Sequence, residues 1–96
     1  MVYERAVVKF MQMCGLDVER VRAGYHDDLG DVRGPDTGGW VLDCKNHAQL
    51  SLAQWMDHNN TKGDKAALIV KRRQANVDKS YVIMELGTFV KHVLQT

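Results

Sequence analysis

The five consecutive apolar residues Ala66–Val70, AALIV running straight into Lys71, Arg72 and Arg73, constrain this chain more than any other stretch. An unbroken apolar run of strand length fits a strand covered on both faces, whereas a half-exposed strand alternates. Such a strand lies inside a sheet and needs a packed layer above and below it. The fold class expected is therefore α/β, a mixed central β-sheet flanked by helices.

The flanking segments can supply those layers. Tyr3, Ala6, Val7, Phe10 and Cys14 recur at helical spacing and predict a helix over residues 2–14, stopped at Gly15. Residues 18–23 alternate as a half-buried strand. GYHDDLG reads as a loop, GDVRG as a short strand, and PDTGG as a turn broken by Pro35, Gly38 and Gly39. Residues 40–45 form a further strand, so that residues 31–45 read as one hairpin. Ser51 and Gln54 have capping-box spacing and open a helix to about residue 60. A strand over residues 81–86 and a closing helix over 88–94, with Phe89, Val90, Val93 and Leu94 inward, complete the order α-β-β-β-α-β-β-α.

Composition excludes several classes. Ninety-six residues predict one domain, 1–96, and 45% hydrophobic with 26% charged residues reads as globular. No run approaches the roughly 20 apolar residues of a membrane span. Glu4 and Arg5 interrupt the N-terminal stretch where a signal peptide would be basic and then apolar. Cys14 and Cys44 lack zinc-motif spacing, and His26, His47, His58 and His92 have no ligand partner at such spacing. Both thiols read as reduced groups on core faces of a cytoplasmic protein. The net charge of +1 hides an asymmetry: residues 1–48 carry six Lys/Arg against eight Asp/Glu, and residues 49–96 carry seven against four. Acid first and base second suits a metal site beside a phosphate-binding surface.

The chemistry-bearing stretch is Asp31 on one hairpin arm and Asp43-Cys44-Lys45 on the other. Strand alternation turns Asp43 and Lys45 one way and Leu42 and Cys44 the other. Closure at PDTGG would bring Asp31 beside Asp43. Two neighbouring carboxylates repel, and a divalent cation resolves that repulsion. Mg²⁺ takes one or two carboxylates, retained waters and a substrate phosphate oxygen. A lysine alongside orients the attacking water and neutralises charge on the phosphate. Acid, acid-x-Lys on a hairpin is thus a sensible hydrolytic centre for phosphodiesters.

With Glu4 in the first helix, Asp31 in GDV, and Asp43 and Lys45 in VLDCK, the chain resembles the PD-(D/E)XK nuclease superfamily. The element order also matches that superfamily's core. Within it, the compact size, the Glu4-Arg5 pair opening the first helix and the close of the chain look most like the small Holliday-junction resolvases of archaea and phages. The resemblance implies a restriction-endonuclease-like core and a homodimeric, Mg²⁺-dependent endonuclease of branched or duplex DNA, with Mn²⁺ as a substitute. It implies no small-molecule cofactor and no membrane partner. Asp31 and Asp43 would hold the metal with Glu4 and the Cys44 backbone carbonyl, Lys45 would be the catalytic lysine, and Gln54 would match a glutamine of the following helix. The Gly-Asp of the first motif and the Asp at position 43 depart from the commoner Pro-Asp and Glu. Other cut structures (nicked, flapped or plain duplex DNA) and a non-catalytic DNA-binding module of the same fold are the rival readings.

Each residue also has a plainer role. Asp43 and Lys45 could form a surface ion pair, Asp31 could serve a turn, and Glu4 suits any helix start. Lys71, Arg72 and Arg73 would ordinarily be solvated; the nuclease reading has them neutralise DNA phosphates, joined by Arg33, Asn46 and the outward Arg20 and Arg22. Trp55 reads as core or dimer seam, and no aromatic ladder is evident.

Overall fold

The computed structural model describes residues 2–21 and 30–95. Its elements run α1 (Val2–Met13), β1 (Glu19–Arg20), β2 (Val32–Arg33), β3 (Val41–Lys45), α2 (Leu52–Asn60), β4 (Ala66–Val70), β5 (Tyr81–Ile83) and α3 (Leu86–Phe89). Short 3-10 turns occupy Pro35–Thr37 and Val77–Lys79. The class is mixed α/β, with the element order that hydrophobic periodicity predicts. No described helix is long and apolar enough to cross a membrane.

All of β4 is buried, as its unbroken apolar run requires. It lies between β3, which it parallels with Val41 opposite Ala66 and Lys45 opposite Val70, and the antiparallel β5. Its side chains serve two cores. Leu68 and Val70 pack with Met56 of α2, Trp55 and Ile83. Ile69 points the other way, into a cluster with Tyr3, Val7 and Val8 of α1, Val18 and Val32. β3 is divided in the same sense, because Leu42 and Cys44 lean on the α1 cluster while Val41 and Asp43 lie buried on the α2 side. The fully buried Asn59 ties α2 to the sheet by donating to the carbonyls of Val41 and Ala67 at 3.4 and 3.1 Å.

Several local expectations need correction. The hairpin over residues 31–45 is absent: β2 pairs antiparallel with β1 in a separate two-stranded sheet. The approach to β3 is one isolated parallel bridge, Gly30 to Leu42. The turn at Pro35–Thr37 therefore links two strands of different sheets and closes no hairpin. Ser51 makes no side-chain capping bond and Gln54 is exposed, so the capping box is unformed. The strand over 81–86 stops at Ile83, and α3 opens at Leu86 before a π-helical turn at Val90–Leu94. Phe89, Val93 and Leu94 are 38%, 42% and 63% exposed, so the expected inward stripe is not buried. Phe10 is also largely exposed, and Cys14, just past the end of α1, is in solvent. Arg22 and the loop residues His26, Asp27 and Asp28 lie outside the described residues.

Candidate functional site

Asp31 reaches β3 without a hairpin. Gly30 takes φ +82° and sits so close to the neighbouring chain that a Cβ there would stand 2.7 Å from the Leu42 carbonyl oxygen. This contact, open only to glycine, lets the Asp31 amide donate to the Leu42 carbonyl at 2.7 Å. The Asp31 side chain then accepts a hydrogen bond from the Cys44 amide at 2.7 Å. One residue thus caps the free edge of β3 with both its backbone and its carboxylate.

Asp43 sits next to that amide and is only 4% exposed. A buried carboxylate needs a partner. It finds Lys62, whose Nζ lies 3.4 Å from each carboxylate oxygen on a side chain that is 10% exposed. Lys62 follows α2 directly and extends the inner stripe Met56–Asn59 by a further three residues. Sequence reasoning missed it; that i, i+3 continuation past a helix end is the signal that could have found it.

Electrostatics bind these groups into one site. Burial pushes the Asp31 carboxyl above its ordinary value, and the charges of Glu4 and Asp43 push it further, against the Cys44 amide and Lys62, which lower it. Burial likewise raises the Cys44 thiol, with Asp31, Glu4 and Asp43 adding to it and Lys45 opposing it. Asp31 and the Cys44 thiol thus each feel the charges of Glu4 of α1 and of Asp43. Lys45 lies on the Asp43 side of the strand, but its ammonium is placed over the Trp55 ring, 5.4 Å from the centroid. The contact to Asp43 that the sequence suggested for Lys45 is made by Lys62.

The donor chemistry fits a hard divalent cation: carboxylate oxygens that repel one another, with the Cys44 carbonyl on the same strand. Among the described residues no three His, Cys, Asp or Glu side chains converge on one point. A cation would therefore rest on the Asp31 and Asp43 carboxylates and complete its shell with water, as Mg²⁺ does.

The predicted basic residues separate into two groups. Lys71, Arg72 and Arg73 leave the carboxyl end of β4, where the Lys71 amide donates to the Lys45 carbonyl at 3.0 Å and Arg73 donates to the Asn46 side chain. Arg33 belongs to the other sheet and pairs with Glu19 at 2.7 Å. Gln54 is exposed on α2, one residue before Trp55. Compared with protein-family models, curated proteins and solved structures, the chain matches none.

Proposed function

We propose that the chain is a divalent-metal-dependent endonuclease of branched DNA, a Holliday-junction resolvase on a restriction-endonuclease-like core, working as a cytoplasmic homodimer. The observation that carries the reading is the Asp31 carboxylate held on the Cys44 amide, one residue from the buried Asp43, where burial and the charges of Glu4 and Asp43 raise it. Active sites are where such perturbed carboxyls concentrate. Mg²⁺ bound there would supply the Lewis-acid charge that phosphodiester hydrolysis requires. Asp31 and Asp43 would hold it, with Asp31 oriented by the Cys44 amide. Lys62 pairs with Asp43 from within and holds its side chain in place. Lys45, on the Asp43 side of β3 with its ammonium over Trp55, would meet an attacking water or a phosphate by moving off that ring. Lys71, Arg72 and Arg73 provide phosphate contacts. Val82 and Leu86, 61% and 76% exposed, offer apolar surface to a second copy, which a two-fold-symmetric substrate calls for.

A second reading, a DNA-binding module without catalysis, draws on one observation: Lys62 already neutralises Asp43 from within. One experiment separates the two. Four-way junction and linear duplex are incubated with the protein, with and without Mg²⁺. The nuclease reading expects Mg²⁺-dependent cutting of the junction, lost in Asp31→Asn and Lys45→Ala, whereas binding without cutting would favour the module. Equal rates on junction and duplex would remove the junction preference.

A further inference from the structure

We propose that His47 and Trp55 form a stacking step for one unpaired base of the DNA, with Lys45 and Arg73 beside it for the adjoining phosphates. The inference rests on the nucleic-acid reading above and names the feature of the substrate that the site would select.

The step stands where the parallel strands β3 and β4 end together. In open α/β sheets, the crevice beyond the carboxyl ends of parallel strands is the usual ligand position. Both exits are polar here, Asn46-His47 from β3 and Lys71 to Arg73 from β4, and the Arg73–Asn46 hydrogen bond ties them together. Trp55, in the first turn of α2, is half-buried against the Met56–Leu68–Val70 cluster, which fixes its ring. The exposed His47 lies against that ring with centroids 5.0 Å apart and planes 43° apart. The two rings are in contact but not parallel, so the imidazole is backed by a fixed surface and still presents an open face. A base stacking on His47 would bring its backbone beside two cations, the Lys45 ammonium over Trp55 and the Arg73 guanidinium. Such stacking tolerates any base, because every base has a π-face.

A paired duplex hides those faces. A branch point, a bulge or a frayed end exposes them. Structure selectivity would then need no separate base-reading module.

The test measures binding without divalent metal to two oligonucleotides, a fully paired duplex and the same duplex with one unpaired adenine. Wild-type protein should prefer the bulged duplex. His47→Ala, at an exposed position, should lose about ten-fold on the bulged duplex and leave the paired one unchanged, the size expected of one stacked base. In Trp40→Phe protein, where Trp55 is the sole tryptophan, the bulged duplex should quench emission and the paired duplex should not. An equal loss on both duplexes, or unquenched Trp55 at saturation, overturns the stacking step while leaving DNA binding intact. Failure of wild-type protein to bind either duplex overturns the nucleic-acid reading along with it.

Discussion

Asp31 carries a cost that only its surroundings impose. Its carboxyl is raised above the ordinary value of 3.8, first by burial and then by Glu4 and Asp43. A group whose folded value is raised contributes stability that is full below the unfolded value and lost as pH rises through the folded one. Asp31→Asn keeps an oxygen to accept the Cys44 amide and removes the charge. The variant should match wild type near pH 3 and melt a few degrees higher at neutral pH, with the gap opening above pH 3.8. Melting curves across pH check this, and a variant less stable at neutral pH would mean the repulsion is already relieved. Lys62→Ala should act in the opposite direction. It leaves Asp43 buried and unpaired, at a cost of about 3 kcal/mol in denaturant unfolding. At this scale the sequence was informative about acids and silent about their partners. Asp31 and Asp43 could be picked out from strand alternation, whereas Lys62 depends on where a helix ends and its neighbour begins.

At the scale of elements, the acidic edge depends on a glycine. Gly30 lies in the left-handed region against the Leu42 backbone, so Gly30→Ala adds strain there and a clash that no side-chain rotation can relieve. The variant should lose about 2 kcal/mol of stability. Because the Asp31 amide and carboxylate both depend on that contact, any melting shift that Mn²⁺ gives wild type should shrink as well. A variant with a full Mn²⁺ response would show that Asp31 reaches β3 without the bridge. Periodicity could read β4 and α1, since one buries both faces and the other a stripe, whereas α2 was read from a capping-box spacing that the structure does not form. It could not read the missing hairpin, because glycines on both sides of Asp31 allow a crossing as readily as a reversal. The closing segment starts two residues earlier than its spacing suggests, at Leu86, and its second half is a π-helical turn, which 3.6-residue spacing cannot foresee.

For the whole molecule, near-neutrality conceals a polar layout. Acids gather along the edge of β3, and cations leave the carboxyl end of β4. A duplex lying across that end would meet Lys71, Arg72 and Arg73 before reaching the acids. Arg72→Ala should therefore weaken DNA binding uniformly across sequences and reduce the slope of log affinity against log salt by about 1. An unchanged slope would exclude Arg72 from the phosphate track. The charge asymmetry between the halves of the chain was visible from counting alone, but not that the acids would sit along β3 and the cations at the end of its parallel neighbour β4.

The two thiols differ in a way that can be exploited at the bench. Cys14 is exposed beyond α1, whereas Cys44 is half-buried with its thiol held protonated by burial and by the acids around it. Since the thiolate is the reacting form, a maleimide dye at neutral pH should attach at one position without any cysteine being engineered away. The native chain is thus ready for single-fluorophore measurements, with its acidic edge left chemically untouched.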